Sequence, residues 1–124
     1  MRQEIFVYRR DKGTAPIDSS RTLIEPMGDI EFLTGFFQAK PSEYIEADKE
    51  TLNELSGRCK QVLYFKNELV SRSFLPTKSN NFFSDEVEYD EEYYKKVSFV
   101  QKQVDTILEQ YDLEKTIIEF WFWA

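Results

Sequence analysis

The chain contains no histidine. That removes the commonest general base, the usual imidazole metal ligand and the usual charge switch near neutral pH. A single cysteine, Cys59, excludes an intrachain disulfide and a cysteine zinc cluster, and suits a reducing compartment. The four glycines are scattered at positions 13, 28, 35 and 57, so no glycine-rich phosphate loop exists. No apolar run approaches the roughly 20 residues that cross a bilayer. The opening Met1-Arg2-Gln3-Glu4 leads into only Ile5 to Tyr8, too short for the core of a signal peptide. The expectation is a soluble cytoplasmic protein without a membrane partner.

Positive charge is also in deficit. Sixteen Lys and Arg stand against twenty-three Asp and Glu, a formal charge of −7 over 124 residues. Such a field repels phosphate backbones and attracts basic partners, which argues against direct nucleic-acid binding. The length suits one domain, and 41% hydrophobic with 31% charged residues is a globular composition.

Glu4–Tyr8 is β-branched and aromatic and predicts a first strand, followed by a loop over residues 10–21. After Gly28, Asp29 is placed to cap a helix carrying Ile30, Phe32, Leu33, Phe36 and Phe37, which Gly35 interrupts and Pro41 ends or follows. Glu43–Ala47 fits either a short strand or a helical turn. Asp48, Thr51, Leu52 and Leu55 predict a short helix closed by Gly57. The β-rich runs Gln61–Lys66 and Leu69–Leu75 around Asn67-Glu68 read as a hairpin. Pro76–Ser84 reads as a polar loop. Tyr93, Val97, Val100, Val104, Ile107, Leu108 and Tyr111 mark an amphipathic helix over about 90–112. Thr116–Trp123 is the most β-prone stretch and is placed inside a sheet against that helix. The expected fold is therefore a single α+β domain. It has a mostly antiparallel sheet of four or five strands and two or three helices on one face, the long C-terminal helix preceding a terminal strand.

The singular local feature is Asp85-Glu86-Val87-Glu88-Tyr89-Asp90-Glu91-Glu92-Tyr93-Tyr94. Asp90, Glu91 and Glu92 suit the start of the long helix, where carboxylates oppose the helix dipole at about 0.3–1 kcal/mol each. That effect ends within the first turn, so Asp85, Glu86 and Glu88 have no local reason to be there. One reading is a merely solvated acidic segment. The other is a binding surface: carboxylates steer a basic protein and stand in for nucleic-acid phosphates, while Tyr89, Tyr93 and Tyr94 supply rigid contact area. Tyr93 and Tyr94 point in different directions on a helix, so at least one of the three tyrosines is expected to face solvent. Phe82 and Phe83, beside the acids, either add apolar anchors or fold back into the core.

Enzymatic readings find little. Adjacent acids are not two carboxylates fixed across a cleft. The run 85–90 lacks the sixth-position glycine of a calcium loop, so no metal or cofactor is expected. Cys59 has no histidine to activate it. Phe120, Trp121, Phe122 and Trp123 alternate across a strand. Burial on both faces is the default expectation, with a homodimer through the uncovered pair as the alternative.

A small, acidic, cysteine-poor α+β chain with an acid- and tyrosine-rich segment at 85–94 resembles, in overall style, the immunity proteins of bacterial toxin systems. The nearest kinds are those of contact-dependent growth inhibition and of colicin-like nucleases. The resemblance implies a non-enzymatic inhibitor that binds a cognate basic toxin domain and blocks its active site or substrate groove. A phage- or plasmid-encoded nucleic-acid mimic acting on a host protein shares this charge logic. A structural or adaptor subunit would instead use an apolar, salt-insensitive interface such as the Trp121/Trp123 strand.

Overall fold

In the computed structural model, residues 4–77 and 89–123 are described. Their elements run β1 (Glu4–Asp11), β2 (Thr22–Gly28), α1 (Glu31–Phe37), β3 (Glu43–Ala47), α2 (Lys49–Phe65), α3 (Glu68–Phe74), α4 (Glu91–Gln110) and β4 (Thr116–Trp123). The four strands form one antiparallel sheet in the order β2-β1-β4-β3. The fold class is the α+β domain that composition and periodicity indicate, with one helix more than expected among the described residues.

The terminal strand is central because it has the most apolar surface to hide. β4 pairs along its whole length with β1, from Thr116 opposite Asp11 to Trp123 opposite Glu4, and on its other side with β3. Ile118, Phe120 and Phe122 of β4 and Ile5 and Val7 of β1 are fully buried on one face of the sheet. The four α-helices of the described residues lie on that side. Phe37 of α1 sits 4.7 Å from the Phe120 ring and 5.8 Å from Phe122. Leu52, Leu55, Cys59 and Val62 of α2 recur every three or four residues, and so do Tyr93, Val97, Val100, Val104 and Ile107 of α4; both stripes are buried in one core. Burying these side chains is the dominant favourable contribution to the fold, at about 1.5–3 kcal/mol for each large one.

The expected hairpin at Gln61–Leu75 is instead two helices. The stripe Leu55, Cys59, Val62 carries α2 past Gly57, which lies inside the helix and exposed, to Phe65. Lys66 then takes the left-handed conformation (φ 47°) that ends α2. Asn67, rather than turning a hairpin, accepts the Val70 N–H at 2.8 Å and caps α3. Asp48 caps α2 as expected, accepting from Thr51 N at 2.8 Å. Asp29 does not cap α1; Ile30 holds that position without a side-chain bond, and Gly28 makes the turn at φ 79°. Alanine at Asp48 or at Asn67 is expected to lower stability by about 1 kcal/mol, measured by urea denaturation. The Asn67 substitution discriminates: an unchanged midpoint would contradict the α2–α3 corner.

Two strands complete the sheet. Glu43–Ala47 is a strand, β3, at one edge. β2 had no sequence assignment. It forms the other edge, where Pro26 lacks a donor at little cost, and it is joined to β1 with register irregularities between Ile5 and Phe6 and between Val7 and Tyr8.

Candidate interaction surfaces

Two regions carry chemistry beyond packing: the entry to α4 and the sheet face opposite the helices. At the α4 entry the three tyrosines turn inward. Tyr89 and Tyr93 are buried and Tyr94 is partly buried. Their rings form a series of edge contacts, Tyr89–Tyr93 at 4.9 Å, Tyr93–Tyr94 at 5.1 Å and Tyr93–Phe32 at 5.7 Å.

The Tyr89 and Tyr93 hydroxyls reach the stretch that follows α3, and that of Tyr94 reaches α3 itself. Tyr93 Oη donates to the Leu75 carbonyl at 2.7 Å, and Thr77 N donates to Tyr89 Oη at 3.3 Å. Ser71 Oγ donates to the Asn67 carbonyl at 2.7 Å, so Tyr94 Oη is the donor in its 3.0 Å bond to Ser71. Thr77 Oγ1 in turn donates to Glu31 at 2.6 Å. Burial, reinforced by the neighbouring Tyr89 and Tyr94 hydroxyls, pushes the Tyr93 hydroxyl well above the usual phenol range. The tyrosines thus fasten residue 77 to residue 89.

The acids divide. Asp90 accepts from Tyr93 N at 3.0 Å and caps α4. Glu91 and Glu92 stand exposed in its first turn, Glu92 within 3.5 Å of Lys95. Asp85, Glu86, Glu88, Phe82 and Phe83 lie outside the described residues.

The second region contains the Trp121/Trp123 pair weighed above as an interface, and an ionic network that the sequence reading does not reach. β1, β3 and β4 turn Phe6, Tyr8, Arg10, Tyr44, Glu46, Glu119, Trp121 and Trp123 away from the helices. Burial on both faces therefore fails for β4. Among the described residues no α-helix packs on this side; Trp121 is half-buried and Trp123 is 51% exposed. Near the β1–β2 connection, Glu119 is only 2% exposed and is the hub of an ionic network. It accepts from Arg10 Nε at 3.0 Å and from Arg21 Nε and Nη2 at 3.0 and 3.3 Å.

Arg10 also donates to Glu46 and to the Thr14 carbonyl, both at 2.8 Å, which ties the connecting segment onto the sheet. The Arg21 guanidinium lies 3.5 Å from the Tyr44 ring centre, and Tyr44 packs on Trp121 at 4.3 Å. The Glu119 carboxylate raises the Arg21 pKa above its ordinary value. Burial raises the Tyr44 hydroxyl, and the Arg21 charge offsets part of that shift. The available signal was Glu119 itself: a carboxylate between Ile118 and Phe120 in a strand this apolar requires a cationic partner.

Elsewhere the groups are structural. Cys59 is buried, and burial together with the charge of Asp105 pushes its thiol up to about 12, away from reactivity. Ser56 Oγ donates to Asp105 at 2.5 Å, joining α2 to α4. Among the described residues no three His, Cys, Asp or Glu side chains are grouped to hold a metal ion, and no helix is long and apolar enough to cross a membrane. Compared with protein-family models, curated proteins and solved structures, the chain matches none.

Proposed function

We propose that this chain is a non-enzymatic protein inhibitor of the immunity type, which binds a basic, nuclease-type toxin domain in the cytoplasm of the producing cell and blocks its active site or substrate groove. One observation carries the reading: six carboxylates within residues 85–92 of a chain of charge −7. The position of the described ones, Asp90, Glu91 and Glu92, supports it. The run enters α4 at a point held by the Thr77–Tyr89 and Leu75–Tyr93 hydrogen bonds, and Glu91 and Glu92 stand in solvent there. A groove that holds phosphates must be positive, so a dense carboxylate surface gains fast, salt-sensitive association with it. In this reading the tyrosines hold the start of α4, where Asp90, Glu91 and Glu92 stand, and Tyr94 keeps the most exposed contact surface of the three.

Charge reversal tests it. Glu86→Lys combined with Glu88→Lys is expected to slow association with a basic partner protein captured from lysate at least tenfold and, if both acids face solvent as this reading requires, to leave the melting temperature within a degree or two, since surface substitutions seldom exceed about 0.5 kcal/mol. Unaltered association would sink the assignment of this segment. Self-association or an adaptor role through Trp121 and Trp123 is the second reading, favoured by the exposure of Trp123. It calls for a contact that ignores salt.

A further inference from the structure

We infer that the open face of the sheet is a docking surface for a cationic protein segment, seated on Trp121 and Trp123 and rimmed by Asp18 and Glu46. The inference rests on the reading that the partner is a basic protein, and gives that partner a second surface, apart from the α4 entry.

Shape comes first. From Glu4 to Arg10 the face runs roughly 20 Å along β1, and its four strands span about 14 Å. The β1–β2 connection covers the Arg10–Glu119 end, so the open apolar part, around Trp121 and Trp123, is smaller than the roughly 300 Å² of the whole face. Its rings are preset: Trp121 against Tyr44, and Tyr8 edge-on to Tyr44 at 5.9 Å. Such rings lose little freedom on binding and suit a guanidinium or an aliphatic side chain. Arg21 already occupies Tyr44 in this manner.

Charge then selects the occupant. The sheet and its β1–β2 connection (residues 4–28, 43–47 and 116–123) hold seven carboxylates and four cations. Three of those cations are withdrawn from the open face. Arg9 lies over Tyr111 on the helical side, 5.8 Å from the ring centre, and Arg10 and Arg21 are buried against Glu119. Two carboxylates paired with those arginines stand in solvent by contrast: the Asp18 side chain is 93% exposed and that of Glu46 is 62% exposed. Glu119, Glu46 and Asp18 together outnumber Arg10 and Arg21 by one charge, and the exposed members of the network are acids, which leaves an aromatic floor with an acidic rim.

A second copy fits this face poorly. An isologous dimer centred here would oppose carboxylates to carboxylates between two chains of −7 each. The apolar patch also falls well short of the about 800 Å² per partner of a stable interface. A cationic segment meets both demands, because its charges neutralise the rim while its stems extend the apolar contact.

The test follows the indole N–H signals of Trp121 and Trp123 by NMR while the full chain is titrated with a short peptide of alternating arginine and leucine, and separately with its glutamate–leucine counterpart. The expected result is a saturable shift of both indoles with the arginine peptide alone. Affinity should fall at least tenfold in Asp18→Lys combined with Glu46→Lys. Because Glu46 also contacts Arg10, Trp123→Ser is the independent variant, and it should lose affinity with the melting temperature retained. Equal binding of the glutamate peptide, no saturable indole shift, or indole signals that move with protein concentration alone would each overturn the proposal. Shifts confined to Glu91 and Glu92 would overturn it and leave the inhibitor reading standing. Unaltered partner association after charge reversal at Glu86 and Glu88, with the indole shifts present, would do the opposite.

Discussion

Replacing Glu119 by alanine is expected to destabilise the fold by about 3–5 kcal/mol, the range for removing one partner of a buried ionic group. The cost comes from what is left behind. Arg10 and Arg21 keep their places, 5% and 7% exposed, but lose the carboxylate that receives three of their N–H groups. Arg10 retains Glu46 and the Thr14 carbonyl. Arg21 retains the Tyr44 ring and Asp18, which is solvent-exposed and 3.4 Å away. Glu119→Gln preserves shape and one acceptor, and should lose roughly half as much, because hydrogen bonds to charged groups contribute about 1.5–3 kcal/mol. Urea denaturation of both variants checks the order. Amide exchange at residues 14–20 should quicken in Glu119→Ala first, since the Arg10–Thr14 and Arg21–Glu119 contacts tie that segment to the sheet. A loss below about 1 kcal/mol would mean that the network is screened like a surface pair.

Much of the architecture follows from local patterns that tertiary packing did not override. The α4 stripe and the apolar β4 each admit one regular structure, and Asp48 caps where a short acidic side chain before Thr51 and Leu52 should. Residues 61–75 were misread because β-branched and aromatic content outweighed spacing. Val62 is three residues beyond Cys59 and seven beyond Leu55, on the face of α2 that packs on α4, and Asn67-Glu68 serves as cap and first-turn acid as readily as it makes a hairpin turn. β2 was hidden for a different reason. Its two register irregularities against β1 break the alternation by which strands are recognised.

The candidate surfaces divide in the same way. The acids at 85–92 are contiguous and visible in sequence. That the tyrosines among them are fasteners depends on Leu75, Ser71 and Thr77, which only the α3 corner brings near. The sheet-face network joins positions 98 and 109 residues apart, beyond any local pattern. Composition did limit what that face is. In a chain this acidic, cations spent on Glu119 are not available to a partner, so the accessible charge of the open face is negative by subtraction.

Alkaline pH should weaken the protein through two buried acids of the core. Cys59 is held up to about 12 from an ordinary 9.0, and Tyr93 is raised above an ordinary 10.0, each chiefly by burial. Both are neutral when protonated, so the folded state favours the protonated form more strongly than the unfolded chain does. Their contributions are fully present below the unfolded values and are lost as pH rises toward the folded ones. Each group then removes about 1.4 kcal/mol per pH unit, Cys59 from near pH 9 and Tyr93 from near pH 10.

Urea denaturation of the wild type, Cys59→Ala and Tyr93→Phe at pH 8, 9, 10 and 11 separates the two. Cys59→Ala should flatten the decline that begins near pH 9. Tyr93→Phe should flatten the later one, from a baseline lowered by about 1–3 kcal/mol at every pH because the Leu75 carbonyl loses its donor. Curves parallel to the wild type would assign the alkaline loss to other groups. Coincidence of the Tyr93→Phe baseline with the wild type at pH 8 would mean that its hydroxyl does not fasten the end of α3 to α4, and the acids at 90–92 would then lose their fixed base.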